Sequence, residues 1–313
     1  MSVVSLAAVT ATVAAVGTLV GDPADVGTAG SAVEVVARAD ERVSTATTSA
    51  ARSVVSRPAA GGAGPVLIEQ VTENLGCIVV PLVPADGYDE FYDQYCTSRL
   101  GVRIVADEAV DPDALVAAAE LVDVVLADRP DIVTRLVDGD LRIGVLDRDD
   151  DAPEMPEYRD LPRLFPDVDW TAARAYGARP GRPLMVVPEE NLLCRDDDTY
   201  PGQSVFLHEI GHTVLDMAVI PADPTFEDRV EAAYEAAMAS GVYVDSYATV
   251  NADEYWAEGV QDYFDASRPR DESRSGGFDS RVADRRSLLE LDPTLHALVA
   301  EVFGDNGWRF ACP

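Results

Sequence analysis

The apolar positions after residue 65 form short runs first and longer helical patterns afterwards. Runs at 101–106, 141–147 and 183–188 are bounded by turn residues and predict buried strands. Helical spacing of apolar residues predicts a helix at 115–127 and a short second helix that follows it and ends near residue 137. Further helices are predicted at 204–218, 226–240, 252–266 and 292–303. Short strands followed by a helical half predict one α+β domain.

Several helix ends carry recognisable signals. Asp111 is a predicted N-cap with Pro112 in the first turn of the helix that follows. Gly241 is predicted to end the helix over 226–240, and the polar stretch 268–281 reads as a connection. These signals place the helices without defining how they pack.

Residues 1–65 differ in composition from the rest of the chain. They contain no aromatic residue and no cysteine, and 3–20 is almost wholly apolar. We interpret 3–20 as a secretory signal or a single membrane anchor, and the Ala/Gly/Ser/Pro-rich remainder to residue 65 as a flexible spacer. The predicted folded domain therefore covers 66–313, and the protein is predicted to be secreted.

The charge balance excludes two classes of partner. The chain has 24 Lys+Arg against 56 Asp+Glu, for a net charge of −32, and every basic residue is arginine. A nucleic-acid binder needs a basic face to neutralise phosphates, and electrostatic docking on an anionic membrane needs the same. We interpret the acidity as adaptation to a salt-rich habitat, where ions screen self-repulsion, with ordinary acidic drift as the alternative. No sequence feature bears on the oligomeric state.

The cysteines support the predicted export. Cys77, Cys96, Cys194 and Cys312 show no CxxC spacing, which argues against a thiolate metal site. Four cysteines allow three pairings, and the sequence does not choose among them. An exported protein favours two disulfides over four free thiols.

The chemical signal is the HExxH pattern at 208–212. Residues four apart on a helix point the same way, so His208 and His212 can bind one Zn²⁺ ion. Glu209 is then placed to take a proton from the attacking water. The chain has only three histidines, and two of them fall at this spacing.

The third ligand defines the class of zinc site. A metzincin would carry glycine at 215 and histidine at 218, where this chain has Leu215 and Ala218. A gluzincin instead takes a glutamate from a downstream helix, and Glu254 in the 252–266 helix is our candidate. Glu258 lies one turn further on the same face, where it can accept the free N–H of a ligating imidazole.

The order of these residues is shared with known proteins. HExxH at 208–212, then Tyr247, then Glu254-Tyr-Trp-Ala-Glu258 resembles the anthrax lethal factor-type zinc metallopeptidase domain. Segments 156–162, 189–194 and 254–264 are similar to secreted zincin-like proteins related to fungal conidiation-specific protein. The resemblance is closest over 156–264.

The resemblance implies a zincin-like metallopeptidase domain with a small mixed sheet and a helical half. It implies His208, His212 and Glu254 as zinc ligands and Glu209 as general base. Tyr247 would donate a hydrogen bond to the oxyanion of the tetrahedral intermediate. Tyr243 and Tyr255 remain alternatives for that donor.

The sequence thus predicts a secreted zinc endopeptidase that acts on peptides or proteins. The alternative is a zinc-binding scaffold or partner-binding protein with the same fold and no proteolysis. Glu209 favours the enzyme, because a structural site fills all four metal positions and has no use for a base. We expect the strand at Leu184–Pro188 to align an extended substrate by β-addition.

Two other features are interpreted as structural. Asp147, Asp149 and Asp151 alternate like the start of an EF-hand loop, but Ala152 and Tyr158 occupy its required Gly and Glu positions. We interpret this stretch, and the acidic residues at 196–198, as solvated loops. His296, in the last predicted helix, is expected to be structural.

Overall fold

The computed structural model describes residues 76–82, 88–171, 174–244, 246–267 and 281–312. The predicted leader, the spacer and the domain boundary at residue 65 lie outside these ranges. Within the described ranges, no helix is both long and apolar enough to cross a lipid bilayer.

The strands form one mixed five-stranded sheet. Their bounds are β1 Val80–Pro81, β2 Gln94–Thr97, β3 Arg103–Ala106, β4 Arg142–Leu146 and β5 Leu184–Pro188. They lie in the order β1-β2-β3-β4-β5; β1, β2 and β3 are antiparallel neighbours, whereas β3, β4 and β5 run parallel. The predicted α+β class is confirmed, and the three predicted strands are β3, β4 and β5.

Two helices connect the parallel strands β3 and β4, as a parallel pair requires. They are α1 at Pro112–Val125 and α2 at Pro130–Asp138. The Asp111 side chain accepts the N–H of Asp113, and Pro112 occupies the first turn, so the predicted cap of α1 is confirmed.

The second half of the chain is mainly helical. The helices are α3 Leu161–Leu164, α4 Glu189–Leu192, α5 Val205–Val214, α6 Ile220–Ala222, α7 Thr225–Ser240, α8 Ala252–Tyr263, α9 Arg285–Leu291 and α10 Pro293–Phe303. Single 3₁₀ turns occupy Ala152–Glu154, Pro156–Tyr158 and Tyr247–Thr249, and a π-helical turn at Leu215–Val219 joins α5 to α6. Gly241 ends α7 in the left-handed region with φ 67°, as predicted.

Two disulfides join Cys77 to Cys96 and Cys194 to Cys312. The preference for disulfides over free thiols is therefore confirmed, and the pairing that the sequence left open is now defined. Two disulfides are compatible with an extracellular protein. The second also ties the C-terminal end of the described chain to the loop that precedes α5.

An additional segment covers the outer edge of β5. Tyr176 and Val186 exchange both backbone hydrogen bonds, at 3.0 Å and 2.8 Å. Arg179 and Arg182 pair in the same way across a turn whose Gly181 has φ 91°. The expectation that β5 itself aligns a substrate is thus wrong at Val186, because the 174–179 segment occupies that edge.

Candidate metal centre and active site

The three candidate ligand atoms converge on one point between α5 and α8. The Nε2 atoms of His208 and His212 lie 3.1 Å apart, and Glu254 Oε2 lies 2.9 Å and 3.4 Å from them, respectively. A tetrahedral zinc site with metal–ligand distances of about 2.0–2.1 Å has ligand–ligand edges of about 3.3 Å. The three atoms therefore match one face of a tetrahedron of the size that Zn²⁺ takes.

Close packing of the two helices brings these side chains together. A Cβ atom on Gly211 would lie 3.3 Å from the Cα atom of Ala257, so glycine permits the close approach. The Trp256 indole N–H donates to the Gly211 carbonyl at 2.9 Å. At the start of α8, the Asn251 side chain accepts the backbone N–H of Glu254 at 2.8 Å and fixes the turn that carries the carboxylate.

The electrostatics at this point suit a divalent cation. Burial alone would lower the pKa of His208, but hydrogen bonds with Glu254 and Glu258 outweigh burial and raise it. Burial would also lower the pKa of His212, but the charge of Glu254 outweighs burial and raises it. Burial would raise the pKa of Glu254, yet His212 and His208 hold it well below its usual value. The site thus holds an ionised carboxylate beside two imidazoles, a ligand set typical of zinc.

Glu209 lies on α5 beside the ligands and is 3% exposed. Its Oε2 atom is buried and has no hydrogen-bond partner among the described residues. Burial raises the pKa of Glu209, and the neighbouring His208 and His212 limit the rise. A buried carboxyl with a raised pKa and an open acceptor is suited to take a proton from water and return it.

Residues 174–179, called the wall segment below, form one wall of the site. A Cβ atom on Gly177 would lie 2.7 Å from the Cβ atom of His212 and 3.6 Å from Glu209 Oε2. Next to it, the Ala178 N–H donates to the Thr213 hydroxyl on α5 at 2.9 Å. The backbone of this segment therefore lies directly against the HExxH helix.

Tyr247 lies on the side of His208, with the two ring centroids 5.9 Å apart. It begins a 3₁₀ turn that the Ser246 side chain caps by accepting the N–H of Ala248. Burial, together with the charges of Glu254 and Glu209, raises the pKa of Tyr247, so its phenol keeps the proton. Tyr243 and Tyr255 instead donate their hydroxyls to Asp292, away from the ligands.

The Nδ1 atom of His208 has two acceptors on α8. Glu258 Oε1 lies 3.3 Å away, next to the imidazole as the sequence predicts. Gln261 Oε1 lies at the same distance and was not predicted. Its signal was present, since positions 254, 258 and 261 follow helical spacing and share one face.

Tyr200 also approaches the site without having been predicted. Its hydroxyl accepts the backbone N–H of Arg174 at 3.0 Å, at the start of the wall segment. Burial raises the pKa of Tyr200 to about 12, and Glu209 is among the charges that contribute. No sequence pattern indicated Tyr200, because its position depends on the path of the loop before α5.

The features interpreted as structural lie outside this site. Arg174 donates to the backbone carbonyls of Asp147 and Asp150, which holds the acidic loop against the wall segment. Burial and the charges of Glu154 and Asp107 raise the pKa of Asp150 to about 6. His296 packs on the ring of Tyr263, with centroids 5.2 Å apart.

Comparison with known proteins identifies no family for the chain. No protein-family model matches it, and no curated protein sequence matches it. The chain is similar to the solved structure of the PRO-PRO endopeptidase PPEP-2 from Paenibacillus alvei, at 14% sequence identity and a TM-score of 0.44. The likeness covers 64% of this chain and 97% of that chain. At this level of similarity, interpretation of the site depends on its own residues.

Proposed function

We propose that the protein is a secreted zinc-dependent endopeptidase of the gluzincin type, in line with its resemblance to lethal factor-type and zincin-like domains. His208, His212 and Glu254 would hold the zinc ion, and Glu258 would support His208. The observation that carries the proposal is Glu209: a buried carboxylate with an open acceptor lies beside three converging ligand atoms. A purely structural metal site would not need that group.

Glu209 and Tyr247 have separate roles in the proposed reaction. Zn²⁺, when bound, supplies Lewis-acid polarisation of the scissile carbonyl and lowers the pKa of a bound water to about 7. Glu209 takes the proton from the attacking water and later delivers it to the leaving amine, a cycle that its raised pKa favours. Tyr247 donates its phenolic hydrogen to the oxyanion that develops on the former carbonyl.

Substrate alignment is assigned to the wall segment rather than to β5. Because Tyr176 uses its N–H and C=O on Val186, this edge of β5 is already occupied, whereas the backbone of Gly177 lies next to the catalytic candidate, with its Cβ position 3.6 Å from Glu209 Oε2. An extended peptide that follows this segment would run beside Glu209. This arrangement favours a peptide or protein substrate.

The test compares the zinc-loaded protein with Glu209→Gln on a diverse peptide pool, read by mass spectrometry. We expect cleavage by the wild type, loss on chelation, and a decrease of about 10²–10⁴-fold in rate for the variant, with zinc affinity retained. Glu231→Gln, an exposed change on α7, serves as the matched control and should cleave normally.

Absence of cleavage by folded, zinc-loaded wild type would contradict a general endopeptidase. Zinc binding without cleavage would favour the scaffold function instead. Equal rates for the wild type and Glu209→Gln would show that Glu209 is not the base.

A further inference from the structure

Gln261 is a buried polar side chain that connects the two helices of the site. It is 1% exposed and uses both ends of its amide. Its Oε1 atom lies 3.3 Å from His208 Nδ1, and its Nε2 donates to the Ser204 carbonyl at 2.9 Å. The Ser204 carbonyl can only accept, so Nε2 faces it and Oε1 faces the imidazole.

This orientation defines the state of His208. An amide oxygen can only accept, so His208 Nδ1 must carry the proton. Nε2 points toward Glu254 and His212, so with Nδ1 protonated it is the nitrogen that would give up its proton to bind zinc.

Gln261 also fixes the start of α5. Ser204 is the residue before that helix, and its side chain makes no capping bond. Instead, its backbone is held from the end of α8: Gln261 binds its carbonyl, and its N–H donates to the Ala266 carbonyl at 2.9 Å. The start of the helix that carries both histidines is also held by Asn191, whose Oδ1 accepts the Val205 N–H at 2.9 Å, but Gln261 connects this start to the ring of His208.

Glu258 is less constrained than Gln261. Its side chain is 18% exposed, and its one bond to a described residue is the contact with His208 at 3.3 Å. A flexible carboxylate with one partner loses rotamer freedom to hold a ring, whereas the Gln261 amide is already anchored at Ser204.

We infer that Gln261 contributes more than Glu258 to holding His208 in its metal-binding orientation, and that Gln261 is the main positioning residue of this imidazole. The inference rests on the zinc site of the proposed function. Both α8 side chains contact the imidazole, but Gln261 alone connects it to the helix start.

The test measures zinc affinity of the full chain by competition with a chromogenic chelator, so it does not depend on cleavage. Gln261→Met, which keeps the volume and removes both bonds, should weaken zinc binding by about 10–100-fold. Glu258→Met is the matched control and should weaken binding by less than Gln261→Met. The reverse order, or no loss in a folded Gln261→Met protein, would overturn the inference.

A spectroscopic readout separates positioning from general stability. The chain has three histidines, so imidazole ¹H–¹⁵N spectra of the zinc-loaded protein are simple to assign. The Nδ1 proton of His208 should exchange faster in Gln261→Met, with His212 and His296 unchanged. If Gln261→Met does not fold, Gln261→Asn, one methylene shorter, takes its place. Unchanged His208 exchange would also overturn the inference.

Zinc binding by the wild type is the reference for both measurements. If the wild type binds no zinc, the proposed function fails. If it binds zinc but Gln261→Met binds equally well, only this inference fails.

Discussion

Tyr247 is proposed to donate a hydrogen bond to the oxyanion, and the charges of its neighbours keep it protonated for that role. Its raised pKa keeps the phenol protonated near two carboxylates, so it remains a donor at neutral pH. Because the hydrogen bond is proposed to form in the transition state, Tyr247→Phe should lower kcat by about 10²–10³-fold with little change in KM. Steady-state kinetics on a cleaved peptide, with zinc affinity as control, provide the check. A loss of zinc affinity with unchanged kcat would instead assign Tyr247 to the metal site.

Asp150 is expected to destabilise the folded state in a pH-dependent way. Its pKa of about 6 lies above the usual value, so its charged form is disfavoured in the folded state. The destabilisation is therefore complete above pH 6 and disappears as the pH falls toward 4. Asp150→Asn should raise Tm by about 2 °C at pH 7.5, and the gain should fall to about a third of that near pH 4.5.

Thermal unfolding of the wild type and Asp150→Asn at both pH values tests this expectation. Asp149→Asn, an exposed neighbour, is the control. An equal gain at both pH values would show that the effect does not come from titration of Asp150.

At the scale of elements, the hairpin formed by the wall segment and β5 depends on a glycine at Gly177. An alanine there would place its Cβ atom 2.7 Å from that of His212, which belongs to a fixed helix. Gly177→Ala should cost about 1–3 kcal/mol and displace the wall, lowering kcat/KM more than stability alone explains. Gly181→Ala is the matched control: it strains a positive φ, but its Cβ meets nothing within 4 Å.

Denaturant unfolding and kcat/KM of both glycine variants separate local clash from loss of turn geometry. An equal loss of activity for a given loss of stability would argue against a substrate-aligning role for the wall.

The elements that could be predicted are those whose signals are local. Helical spacing placed His208, His212 and Glu254 on two helices, and the structure brings these side chains together. The missed elements are all short: helices α3, α4, α6 and α9 and strands β1 and β2, of which β2 also carries little apolar alternation. The covered edge of β5 and the two hydrogen bonds of the Gln261 side chain arise from contacts between distant segments. The spacing of residues within one segment does not predict such contacts.

At the scale of the whole molecule, the acidic charge acts on the fold rather than on the site. The net charge of −32 repels itself across the surface, while the ion pairs formed by arginines offset only part of it. Screening shortens the Debye length from about 10 Å at 0.1 M salt to about 3 Å at 1 M. The zinc-loaded protein should therefore gain about 4 °C or more in Tm between these NaCl concentrations.

Salt can also stabilise by being excluded from the protein surface, and the two causes separate experimentally. Screening depends on ionic strength and saturates by about 1 M, whereas exclusion keeps growing with concentration and is shared by neutral sucrose. We expect most of the gain in Tm below 1 M NaCl, an equal gain in KCl, and a smaller one in sucrose of matched osmolality. A flat response to NaCl, or an equal gain in sucrose, would contradict salt adaptation as the cause of the acidic composition.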